Sequence, residues 1–250
     1  MLLCGMATAA QPLLACAQAV QKTVASAAAQ GPDLDLVVAY YSRVLTPEGV
    51  LRESRYEEKM LRRPGHVWVA RVLPKLTSES HADAKTTQNE VPRQSAAVPA
   101  ADEHAHRHFN HVVLARHVTR DGDRIRVEFV DAHDRTVIAI APAEYENVDF
   151  DGSWANAFYL VDPQGVALLP LSRRVSPIAG ARWHEREKNG LFQRVLWDDK
   201  RMIPLIVETG DRTGNAFRRI EIKPQAGLSK ELPWLNLKNY AQKEYADFLD

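Results

Sequence analysis

Apolar and polar positions change period several times along this chain, and most of the changes mark strands. "LVVAYYSRVL" (36–45) is β-branched and aromatic, and "TPEG" (46–49) closes it as a turn. "VLRESRYEEKML" (50–61) is a second extended run, "RRPG" (62–65) turns again, and "HVWVARVLP" (66–74) is a third strand stopped by Pro74. Consecutive strands with tight connections predict an antiparallel meander. A second set follows. "HFNHVVLARHVT" (108–119) predicts a long strand, "RIRVEFVD" (124–131) alternates strictly, and "TVIAIAP" (136–142) comes after the "AHDR" turn. A third set, around 181–187, 191–198, 203–209 and 215–223, is punctuated by Asn189-Gly190, Asp198-Asp199-Lys200 and Arg212-Thr213-Gly214.

Helical spacing is confined to three places. "QAVQKTVASAAAQG" (18–31) reads as a short helix closed by Gly31. Trp154, Phe158 and Val161 fall at i, i+4 and i+7, which suits a short helix serving either the core or a ligand. Leu237, Tyr240, Ala241, Tyr245, Phe248 and Leu249 mark an amphipathic C-terminal helix with an aromatic face. Tyr240, Tyr245 and Phe248 would then form a permanent cover or a releasable lid. The expected class is α+β: an open antiparallel β-sheet forming an incomplete barrel, with N- and C-terminal helices on or beside its concave face.

Composition alters this picture at a few points. Hydrophobic residues make up 45% of the 250 and charged residues 26%, an ordinary globular balance. Lys plus Arg and Asp plus Glu both number 32, which argues against a nucleic-acid partner. The arginine pairs 62–63, 173–174 and 218–219 have acidic neighbours and read as solvated or ion-paired surface. "KLTSESHADAKTTQNEVPRQSAAVPAADE" (75–103) has no aromatic residue and three large aliphatics, so it reads as a flexible insertion within a single domain spanning 20–250.

The first 19 residues carry no charge and resemble a signal peptide, with Ala17-Gln18-Ala19 as the cleavage region. A missing basic n-region is what a start codon lying upstream would leave. "Leu13-Leu14-Ala15-Cys16" also resembles a lipobox, which makes Cys16 a lipidation candidate; an ordinary Ala-rich helix is the other reading. Both cysteines, Cys4 and Cys16, lie in this leader, so export rests on the leader rather than on a disulfide framework.

The run "TPEG", a charged strand, "RRPG", a Trp-bearing strand and a closing Pro is similar to the start of the LolA-type lipoprotein carriers. "RVLWDDKRMIPLIVETGDRTG" resembles a stretch shared by those carriers and the RseB/MucB-type periplasmic regulators. The two pieces lie within 36–223, separated by an altered middle. This resemblance implies an open half-barrel that binds a lipid or lipoprotein acyl chain in the periplasm, for carriage or envelope-stress sensing. An outer-membrane-anchored lipoprotein is a variant of that placement. An inner-membrane regulator or transporter component would be its protein partner. Arg63 sits where the carriers keep an arginine that holds their lid. Trp68 and Trp197 would line the apolar face or pack beneath it, and which face of the strand through Ala70 meets the ligand is left open.

"DEHAHRHFNH" (102–111) holds four of the nine histidines. His104, His106 and His108 alternate and so would share one face of a strand, which suits metal chelation; a solvated linker is the plainer reading. "HEREK" (184–188) lacks the second histidine of HExxH and falls in a strand, and the chain has no G-x-S-x-G, Walker or G-x-G-x-x-G motif. The expectation is a non-enzymatic protein without a cofactor. A protein-interaction module with a permanently packed concave face is the alternative, and a histidine-dependent metal protein the third.

Overall fold

The structure is a computed structural model that describes residues 31–73 and 109–248. The leader with Cys16, the expected 18–31 helix apart from Gly31, the 75–103 insertion and His104, His106 and His108 lie outside the described residues.

Among the described residues, eleven strands form one open sheet. They are β1 (Leu34–Leu45), β2 (Leu51–Arg63), β3 (His66–Arg71), β4 (Ala115–Asp121), β5 (Arg124–Asp131), β6 (Thr136–Ile140), β7 (Ala181–Lys188), β8 (Leu191–Asp198), β9 (Ile203–Asp211), β10 (Ala216–Pro224) and β11 (Ala241–Glu244). The spatial order is β11-β6-β5-β4-β3-β2-β1-β10-β9-β8-β7. The chain thus builds two meanders, β1 to β6 and β7 to β10, and joins them where β1 pairs antiparallel with β10. Neither end of the sheet pairs with the other, so the barrel stays incomplete.

Side chains alternate across each strand, and cross-strand partners share a face. One side, the inner face, carries Leu36, Val38, Met60, Val67, Val118, Val127, Phe129, Ile138 and Ile140, all buried in one cluster. Complete burial of such a side chain is worth about 1.5–3 kcal/mol each, so this cluster supplies the main drive to fold. The excursion between β6 and β7 covers part of the same cluster. It contains a 3₁₀ segment (Pro142–Val148) and two short helices, α1 (Trp154–Tyr159) and α2 (Pro163–Ala167). Ser153 caps α1 by accepting from the Asn156 amide, and Trp154 and Phe158 are buried. Asp162 caps α2 by accepting from the Gln164 amide, with Pro163 opening the helix.

The C-terminal helix suggested by the sequence does not form. Pro233–Asn239 is a 3₁₀ segment, β11 pairs parallel with β6, and Tyr245–Phe248 is a second 3₁₀ turn. The reason is that the apolar residues serve two sides of the sheet rather than one stripe. Trp234, Leu237 and Tyr240 pack on the outer face against Trp68, Val130 and Val137, whereas Tyr245 and Phe248 pack on the main inner cluster. A chain that must pass round an edge strand cannot stay helical. The predicted strand at 108–119 is also shortened, beginning only at Ala115.

Arg62 lies at the centre of the assembly with no exposed surface. Its guanidinium donates to the carbonyl oxygens of Pro32 (3.0 Å), Phe158 (3.3 Å), Met202 (3.3 Å) and Arg201 (2.7 Å). It also lies over the Phe158 ring, 4.8 Å from the centroid. Burial pulls its pKa down to about 10, which leaves it charged at neutral pH. A Cβ on Gly31 would meet the guanidinium at 2.9 Å, so the close approach of the two favours glycine there. Arg62→Ala should therefore cost about 3 kcal/mol or more in urea unfolding, because each carbonyl left unpaired carries a penalty of about 1–3 kcal/mol. A loss below about 1 kcal/mol would show that water replaces the guanidinium without difficulty.

Candidate functional site

The inner face is not filled completely. Between α1 and the β1–β10–β9 part of the sheet lies a cavity of about 470 Å³, with Phe150, Ala157, Leu160, Val207, Ile220 and Ile222 in its apolar wall. A second cavity of about 500 Å³ opens toward β2 and β3, between Tyr56, Glu58, Val69, Arg71, Phe129 and Val148. Tyr40, Arg116, Asp149 and Arg218 border both, so the two form one groove with a polar waist. A third cavity of about 430 Å³ lies under the C-terminal turn, beside Phe109, Leu114, Ile138 and Phe248. Each of these volumes falls within the usual range for small-molecule sites.

Strand register sets the waist. Arg116 is paired with Val69 and Phe129, and Arg218 lies two positions from Ile220, which is paired with Tyr40, so alternation aims both arginines at the inner face. Tyr40 stacks on Tyr56 with centroids 4.5 Å apart, and the Arg71 guanidinium sits 3.7 Å above the Tyr56 ring. Burial first, and Glu58 second, push the Tyr40 hydroxyl far above the ordinary phenol range, so it remains a neutral donor to Glu58.

The sequence-derived candidates are spread over the molecule. Arg63 is on the outer side of β2, where it pairs with Asp35 (2.8 Å) and donates to the Leu34, Arg62 and Ser229 carbonyls. The arginine that contacts the helical cover is its neighbour Arg62, through Phe158. Trp68 and Ala70 belong to the outer-face cluster and not to the groove. Trp197 is buried beneath α2 with Val166, Leu169, Val195 and Val207, close to the groove wall but outside its lining. Tyr240 covers the outer face, and Arg135 lies over its ring at 5.6 Å. Tyr245 and Phe248 pack on the inner side around Phe109, with centroids 5.3 and 5.8 Å from its ring. His184 and Glu185 of "HEREK" are structural, the first at 3.1 Å from the Leu169 carbonyl and the second accepting from Ser172. Among the described residues no group of three or more His, Cys, Asp or Glu side chains is placed to hold a metal.

Sequence reasoning missed Arg116, Arg218 and Trp234. A signal for the arginines was available: adjacent residues in a strand face opposite sides. In each of the pairs 62–63 and 218–219 one arginine must point inward. Arg219 is the outer one, paired with Glu208 (2.5 Å) and Glu221 (2.7 Å).

No family model matches the chain, and no curated protein matches it. Solved structures overlap it loosely. A domain from Vibrio parahaemolyticus, provisionally described as outer-membrane lipoprotein-sorting, is 13% identical over 84% of this chain and 94% of its own, with a TM-score of 0.30. A DUF1329 family protein from Desulfovibrio piger is 7% identical over 85% and 94%, with a TM-score of 0.30. PNGF-II is 8% identical with a TM-score of 0.36; the overlap takes in 86% of this chain and only 32% of that one. Similarity at this level assigns no function.

A second polar feature lies on the outer face. His66, His117 and Trp234 form a stack, with His66–His117 centroids at 5.3 Å and His66–Trp234 at 5.1 Å. His66 Nδ1 and His117 Nε2 are 3.1 Å apart, and His117 Nδ1 lies 3.6 Å from Glu128. Burial, and then the neighbouring His117, depress the His66 pKa. A group whose charged form is disfavoured on folding takes up more protons when unfolded, so the protein loses stability as pH falls below the ordinary histidine range near about 6.5. The urea midpoint is expected to drop between pH 7 and pH 5, and His66→Gln should flatten that part of the profile. An unchanged slope in the variant would place the proton uptake elsewhere.

Proposed function

We propose that this protein binds the acyl chain of a lipid or lipoprotein in the inner-face groove, as a non-enzymatic carrier or sensor of the bacterial periplasm. The observation that carries the reading is the groove itself: an apolar-walled cleft of about 470 Å³ left between the open sheet and its own helical cover. A water-filled apolar cleft is costly to keep, and each CH₂ inserted into it gains about 0.8 kcal/mol without directional contacts. Release would need displacement of the N-terminal part of α1, a six-residue helix that packs through Trp154 and Phe158 and is held at its Phe158 end by Arg62. The sequence resemblance to lipoprotein carriers and periplasmic regulators supports the same reading, as does the signal-like leader.

One observation favours the interaction module as a second reading. Much of the inner face is filled by the chain's own Val148, Phe150, Trp154 and Phe158, all buried. A partner would then bind the rim and the groove would stay empty.

Native mass spectrometry with lipid extraction, on protein purified from its own host, separates the two. Stoichiometric amphiphile is expected, and Ala157→Trp, which fills the apolar cavity, should weaken binding of monooleoylglycerol by about tenfold or more while the protein melts as one folded unit. An empty protein whose probe affinity is indifferent to Ala157→Trp would overturn the lipid reading.

A further inference from the structure

The waist of the groove is where charge is left without a partner. Elsewhere in the sheet Arg62 is held by carbonyl oxygens, Arg63 by Asp35, and Arg194 and Arg219 by Glu208, while Arg43, whose Nε is also buried without an acceptor, donates to the Gly214 carbonyl outside the groove. Arg71, Arg116 and Arg218 all line the second cavity, and among the described residues no carboxylate lies within ion-pair distance of any of them. The Nε of Arg116 is buried and has no hydrogen-bond acceptor. An unpaired buried N–H of a charged group is costly, and in a groove it points to an acceptor brought by a ligand.

Two carboxylates face this cavity, Glu58, which is the cross-strand partner of Arg71, and Asp149, and neither lies within ion-pair distance of the three arginines. Glu58 accepts from the Tyr40 hydroxyl. Asp149 ends the Pro142–Val148 segment in the left-handed conformation and approaches His111 at 3.3 Å, with its side chain 89% exposed and therefore screened. Asp151, on the rim of the apolar cavity, is occupied by the Ser153 amide and the Asn156 side chain. Three guanidinium groups thus converge on a space that opens directly into the apolar cleft.

We propose that the waist is a head-group site: Arg116 and Arg218, with Arg71 beside them, take the phosphate oxyanion of a single-chain amphiphile whose tail lies against Ala157, Ile220 and Ile222. The assignment rests on the groove being a lipid site and adds the class of lipid. Guanidinium forks suit the geometry, because phosphate oxygens accept paired N–H donors from arginine. The polar waist and the apolar wall together favour one anionic head with one tail over a neutral glyceride.

The test uses two probes with the same tail, oleoyl lysophosphatidate and monooleoylglycerol, titrated below their aggregation limits into the full chain. The wild type is expected to bind the phosphate-bearing probe at least about tenfold more tightly. Arg116→Gln and, separately, Arg218→Gln should bring the ratio of the two affinities to within about twofold. Arg116→Lys should restore part of it. Using ratios keeps the result independent of a general loss of fold. Equal affinities in the wild type would overturn the head-group site and leave the groove reading standing, whereas binding of neither probe would overturn both. Inorganic phosphate that binds as tightly as the lysophosphatidate would show an anion site with no lipid role and would also overturn the proposal.

Discussion

Arg62 places a permanent charge where three separate pieces of chain meet. The segment before β1, the end of α1 and the turn between β8 and β9 each present a carbonyl oxygen that would otherwise be buried without a donor. Backbone groups of irregular structure cannot be satisfied by a ladder, and water has no access at this point. A guanidinium supplies five donors in a rigid fork and stays charged even when desolvated, which a lysine at the same place would not match. The open sheet alone would leave its inner face wet. The helical cover stays on it because one side chain from the sheet holds the cover's backbone.

The groove follows from that arrangement. Because the cover is pinned at the α1 end, it does not settle evenly over the sheet, and space remains toward β1, β10 and β9. Its walls inherit the alternation of the strands, and its waist inherits the arginines that this alternation turns inward. The outer face is organised differently. There the 233–240 segment lies over Trp68 and the His66–His117 pair, so the two faces of one sheet carry a covered aromatic patch and an accessible cleft.

The strands were legible in the sequence because period-two alternation and turn chemistry are local. Asn189-Gly190 and Arg212-Thr213-Gly214 mark their turns without reference to anything distant, and both lie between strands as expected. What was not legible depended on the third dimension. The 237–249 spacing fits a helix, but Tyr240 and Tyr245 are claimed by opposite faces of the sheet, a conflict no single-segment pattern records. Arg62 and Arg63 are indistinguishable as neighbours in a charged turn. Only the strand phase separates the inward one, which holds the cover, from the outward one, which pairs with Asp35. The waist arginines come from β4 and β10, about a hundred residues apart, so their meeting is a property of topology rather than of any motif.

The seam between β1 and β10 has a consequence for how the chain is made. β1 emerges early and pairs with β2 at once, yet its other edge waits for a strand that begins at Ala216. Among the described residues eight strands, β2 to β9, lie between the two in sequence, so in whichever compartment the chain folds that edge stays open until β10 docks. During that time it is a β-edge running the full 12 residues of β1, with Val37, Ala39 and Tyr41 on one side and Leu36, Val38 and Tyr40 on the other. The nascent chain is therefore most exposed to misassembly at its first strand, and a holdase that covers extended apolar segments would act there before any groove exists.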